Sequence, residues 1–182
     1  MPEIPVFIDS PLSLKATATI KKYTDLFNDR LQQVLEVDDD PFDFPGLKYV
    51  ENVEDSKRLV DYEEPCVNIS ASGTADAGRV RHHINSCISD ARNSILLVGY
   101  CGAKSLGGLL LNGEKEVEIF NDALPVKAEI GQIAGMSAHA DTDDLYRFIS
   151  CQDADKIKSI FLVHGEYEVS TGFRIKVRIK RV

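Results

Sequence analysis

From its start to about residue 120, the chain alternates short apolar runs with helically spaced segments, and that alternation limits what it can fold into. The first run, IPVFIDS, closes on Asp9. Ser10 then supplies a capping side chain and Pro11 a first helical position. Ile20, Tyr23, Phe27, Leu31 and Val34 follow at near-helical spacing, which predicts a helix reaching about Val34. The acids, prolines and glycine of VDDDPFDFPGLKYV break it, and LKYV reads as a short strand. Asn52 caps a second helix with Val53, Ser56, Leu59 and Val60 on one face, closed off by Pro65.

CVNIS reads as a buried strand, followed by the loop ASGTADAG. A third helix carries Val80, Ile84, Cys87 and Ile88 on one face. SILLVGY is nearly all apolar, as in a parallel sheet covered on both sides. A short helical turn in SLGGLLLNG leads to the strand KEVEIF. Strand and helix in alternation predict a mainly parallel, Rossmann-like α/β sheet.

From about Asn121 the pattern changes. LPVKAEIGQI alternates polar and apolar, as a half-exposed strand does. A small-residue loop, AGMSAHADTDD, precedes a helix through Leu145, Phe148 and Ile149. SIFLV then reads as a buried strand that stops on His164. The terminal FRIKVRIKRV alternates like a strand, with Phe173, Ile175, Val177 and Ile179 on one side.

A length of 182 residues allows one sizeable core or two small lobes. The net charge of −8 argues against coating nucleic acid through bulk charge, although a narrow groove with a few arginines stays compatible with it. No apolar run approaches the ~20 residues that span a bilayer. The first residues lack a basic segment followed by a long apolar one, so no secretory signal and no membrane are expected. Cys66, Cys87, Cys101 and Cys151 form no CxxC pair and read as reduced thiols of a cytoplasmic protein.

Two stretches could carry chemistry. In ISASGTADAGRVRHH, a strand delivers small residues to a helix start. Ser70, Ser72, Gly73 and Gly78 leave room for a ligand, and Arg79 lies where the helix dipole also favours an anion. The spacing fits a phosphate loop or simply a tight connection. His82 and His83 are adjacent, about 100° apart on a helix, so they cannot chelate one metal together. The second stretch brings two separate histidines. His139 lies among small residues just before a helix whose first-turn acids, Asp141 to Asp144, suit capping. A carboxylate-oriented histidine can also protonate a leaving group near neutral pH. His164 ends a strand at a glycine turn, with Glu166 close enough to orient its ring. A structural histidine and a metal ligand are both open there.

PFDFPGL, ISASGTADAGRVRHH, LLVGYCGAKSLGGLLLNGEKEVEIF, SAHADTDDL and FLVHGE occur in this order. Together they resemble the β-CASP branch of the metallo-β-lactamase superfamily, which includes RNase J-like and cleavage-and-polyadenylation-endonuclease-like RNA hydrolases. The resemblance runs from about Ile4 to Glu166. It implies part of a β-CASP domain over residues 1–122 and, over 123–182, a small C-terminal piece of an αββα metallo-β-lactamase domain. It implies a zinc-dependent ribonuclease in which two zinc ions hold a hydroxide that attacks a phosphodiester. His139 would be the catalytic residue assisting the leaving oxygen, and His164 would ligate one zinc. Asp141 and Glu166 would stand behind these imidazoles, and Ser70, Ser72, Gly73, Gly78 and Arg79 would face the RNA.

The family's HxHxDH motif is absent here. The expectation is therefore a C-terminal fragment of a larger enzyme, inactive and zinc-free by itself, whose partner is the N-terminal metallo-β-lactamase part. A non-catalytic phosphate- or RNA-binding module, or a docking domain able to dimerise, is the other reading. After HGE the family continues into a helix, whereas the alternation here predicts a strand.

Overall fold

The computed structural model describes residues 4–136 and 139–179. Two compact units divide the chain after Met136. The first is a mixed α/β unit. β1 (Val6–Asp9) lies at the centre of a three-stranded parallel sheet, between β2 (Leu47–Tyr49) and β3 (Val67–Ser70). The register pairs Ile8 with Tyr49 on one side and with Ile69 on the other, and Asp9 with Ser70. β4 (Ser94–Val98) runs parallel to β7 (Glu129–Ile133). β5 (Glu116–Ile119) and β6 (Asp122–Pro125) form an antiparallel hairpin. Its two turn residues, Phe120 and Asn121, both take positive φ, as tight hairpins require.

The long amphipathic pattern after Ser10 does not make one helix. α1 (Pro11–Ile20) starts as expected, with the Ser10 hydroxyl accepting from Ser13 N. It stops in a turn at Lys21 and Lys22, a single 3-10 turn follows, and Asn28 caps a separate α2 (Asp29–Leu35). The Asn28 side chain competes for the backbone N–H of Leu31, a start signal that the apolar spacing hid. α3 (Val53–Val60) begins at Asn52 as read, and buries Ser56 and Leu59.

α4 (Val80–Cys87) and α5 (Leu106–Leu111) complete the unit. Their apolar faces meet β4 and β5 in the main core of Ile84, Ile88, Ile95, Leu97, Leu110 and Ile119. Phe7, Val50 and Leu59 make a smaller cluster. The expectations that β3 is a buried strand and that β4 is covered on both sides are corrected. In β4 only Ile95 and Leu97 are buried, while Leu96 and Val98 are exposed; Val67 and Ile69 of β3 are exposed too. The described elements cover one face of each strand, so an all-apolar run sits on a half-open sheet.

The second unit holds α6 (Thr142–Ser150) and α7 (Tyr167–Ile179). SIFLV is not a strand here: residues 157–163 form no ladder, and Phe161 and Val163 are exposed. The segment lies along α7 instead, bounding a groove of about 570 Å³ with Tyr167, Ser170, Arg174 and Val177. The terminal strand expected over FRIKVRIKRV is corrected as far as Ile179, its last three residues lying outside the described ones. Residues 167–179 are helical, because a helix satisfies its own backbone groups whereas a lone strand leaves them unpaired. Val169, Phe173 and Val177 keep i, i+4 spacing within the apparent alternation. Lys176 of α7 pairs with Asp143 of α6 at 2.9 Å. No described helix is long and apolar enough to cross a membrane.

Candidate functional site

β1 carries Asp9 to the C-terminal edge of its sheet, where open α/β sheets place their ligands. The carboxylate is fully buried. One oxygen accepts from Arg79 Nη1 at 2.6 Å; the other accepts from Ser56 Oγ and meets His83 Nε2, each at 2.6 Å. Burial by itself would push the Asp9 carboxyl up. The hydrogen bonds from Ser56, His83 and Arg79 outweigh it and hold the group below the ordinary carboxylate value. Ser56 bonds Asp9 rather than His83, so the cluster is not a nucleophilic Ser-His-Asp relay.

Arg79 is held further. It donates from Nη1 to the Val50 carbonyl and from Nη2 to the Glu51 carbonyl, at 3.1 and 3.0 Å. The fork thus ties the start of α4 to the ends of β1 and β2.

The loop between β3 and α4 is built by its small residues. Ser70 Oγ donates to the Asp9 carbonyl at 3.0 Å. Gly78 has φ +81°, and a Cβ there would meet the Ala71 carbonyl oxygen at 2.8 Å, so only glycine closes this turn. Asp76 accepts from Leu106 N at 2.8 Å, placing its negative charge at the start of α5. The Thr74 carbonyl accepts from Gly107 N, a close approach that a side chain at position 107 would block. Gly73 is exposed with open space beside it. The Ser72 hydroxyl is buried without a hydrogen-bond partner among the described residues.

In the second unit, the His139 and His164 rings stack with centroids 5.7 Å apart and planes 24° from parallel. Both residues are exposed. His164 adopts φ +63°, a left-handed conformation uncommon outside glycine and set at the turn before Gly165. Asp141 caps α6, its Oδ1 accepting from Asp143 N and Asp144 N at 2.8 Å each. The Glu166 carbonyl accepts from Ser170 N in the first turn of α7.

Sequence reading thus found a loop whose first and last residues, Ser70 and Arg79, meet at Asp9, and two histidines that stack. It missed Asp9, Ser56 and His83 as members of one cluster. The available signal was an acid at the C-terminal end of a parallel strand. The two adjacent histidines part: His83 turns to Asp9, while His82 stacks on Phe120 at 4.7 Å.

Residues 1–110 match the Beta-Casp domain, and residues 123–181 match the Zn-dependent metallo-hydrolase RNA specificity domain. The chain belongs to the β-CASP family of the metallo-β-lactamase superfamily. It is 30% identical over 168 residues to a ribonuclease of Thermus thermophilus, a match covering 92% of this chain and 38% of that protein. An RNase J-like protein of Methanocaldococcus jannaschii is 28% identical over 175 residues, covering 96% and 39% respectively. Cleavage and polyadenylation specificity factor 73 of Drosophila melanogaster is 28% identical over 180 residues, covering 98% of this chain and 25% of the relative. The chain therefore spans two fifths or less of the length of these relatives.

The family description names zinc. Among the described residues, no three His, Cys, Asp or Glu side chains gather where they could hold a metal ion. A catalytic zinc takes about three protein ligands. The described residues by themselves do not fit the metal.

Proposed function

We propose that this chain is part of a zinc-dependent ribonuclease that hydrolyses RNA phosphodiesters. Residues 1–122 are its part of the β-CASP domain, and residues 123–182 its part of the metallo-β-lactamase domain. The observation that carries this reading is the stacked pair His139 and His164 in a chain of this family. His139 delivers a proton to the leaving oxygen, as an imidazole can near neutral pH. His164 offers one imidazole to a zinc site whose other ligands lie outside the described residues. Asp141 and Glu166 orient the two histidines. Ser70, Ser72, Gly73, Gly78 and Arg79 form the surface that meets the RNA backbone. The four free thiols suit a cytoplasmic setting.

By itself the 182-residue chain does not cleave RNA. Incubating purified chain with labelled single-stranded RNA and zinc should leave the RNA intact. Zinc-dependent cleavage by the chain, abolished by His139→Ala, would contradict this.

A second reading has its own support. The loop of residues 70–79 has all its described anchors within one unit, so the chain could bind RNA without cutting it. Titrating a short RNA against wild type and Arg79→Ala tests that reading. Weaker binding by the variant supports it; equal binding removes the loop from the account.

A further inference from the structure

We infer that Asp9 is the positioning residue of the RNA-facing loop, acting through Ser70 and Arg79 rather than by touching substrate. The inference rests on the proposed function and names the device behind its binding surface. Residues 70 and 79 are the two ends of the loop, and Asp9 holds both. Its backbone carbonyl accepts from Ser70 Oγ, and its carboxylate accepts from Arg79 Nη1. Ser56 and His83 take the other carboxylate oxygen, so the acceptor cannot swing away from the arginine. Arg79 is itself spent on Asp9 and on the Val50 and Glu51 carbonyls. A guanidinium with three protein acceptors is a clasp first and a phosphate ligand second. The middle of the loop is fastened independently, by Asp76 to Leu106 N and by Thr74 to Gly107 N. Any residue at position 9 keeps the backbone carbonyl that holds Ser70, so loss of the Asp9 carboxylate should loosen the loop from its Arg79 end without unfolding α5.

The test compares wild type with Asp9→Asn by hydrogen–deuterium exchange, and measures RNA affinity and steady-state cleavage on the full-length protein. Amides of residues 71–78 should exchange about tenfold faster or more in the variant, while those of β4 and β5 keep their protection. RNA affinity should fall, and KM rise, by about 10- to 100-fold with kcat little changed. Arg79→Lys, which keeps the charge but not the fork, should restore only part of the affinity lost in Arg79→Ala. Unchanged loop exchange, equal acceleration of loop and core, or a fall in kcat alone would each overturn the inference. If Asp9→Asn does not fold, Ser70→Ala removes one anchor only and should show the same loop-specific acceleration. If wild type binds no RNA, the proposed function fails, and the exchange measurement still decides whether Asp9 positions the loop.

Discussion

Asp9 carries a charge that water does not reach, and three side chains answer it. They come from 47, 70 and 74 residues further along the chain, so no local pattern could announce the cluster. What was legible was only the place: an acid ending a parallel strand. Removing the carboxylate leaves a largely buried guanidinium without its counter-charge. Asp9→Ala should therefore cost about 3–5 kcal/mol, read from urea denaturation. The pH dependence follows from the lowered carboxyl. Its contribution is complete above the ordinary value of 3.8 and is lost as pH falls through the lower folded value. The urea midpoint of wild type should drop on acidification below about pH 4, and Asp9→Asn should show a smaller drop. An equal acid response in both would assign it to other carboxylates.

At the scale of elements, caps and glycines were more legible than strands. Ser10 and Asn52 start helices where the sequence placed them, because a cap is a local hydrogen bond. SIFLV misled because an apolar run becomes a strand only when another strand takes its backbone groups. FRIKVRIKRV misled because its alternating residues also hold a helical spacing, and the helix satisfies itself. Two substitutions test this layer. Gly108→Ala sets a Cβ 2.0 Å from the Gly102 carbonyl oxygen and should destabilise the first unit by about 1–3 kcal/mol. Asp141→Ala removes the cap of α6 and should cost about 1 kcal/mol, measured by circular dichroism on thermal melting.

Across the whole molecule, the alternation of strand and helix over residues 1–120 predicted a parallel α/β architecture, and β1 to β4 follow it. β5 instead forms an antiparallel hairpin with β6, and β4 takes its parallel partner β7 from beyond the alternating stretch. The sequence could not tell which faces are covered, because Leu96 and Leu97 look alike as residues. One is 57% exposed and the other 5%. Leu97→Ala should cost about 2–5 kcal/mol in chemical denaturation, whereas Leu96→Gln should stay within about 0.5 kcal/mol. Similar losses at both positions would mean that this face of β4 is packed. The family membership, in turn, rests on motifs spread over both units, with the two histidines in the second.

The most direct test of the account is cleavage of labelled single-stranded RNA by the full-length protein with zinc, comparing wild type with His139→Ala and His164→Ala. The account predicts zinc-dependent hydrolysis by wild type, with His139→Ala slower by about 10²- to 10⁴-fold and His164→Ala deficient in both zinc content and rate. Undiminished cleavage by both variants, or no zinc-dependent cleavage by wild type, would contradict it.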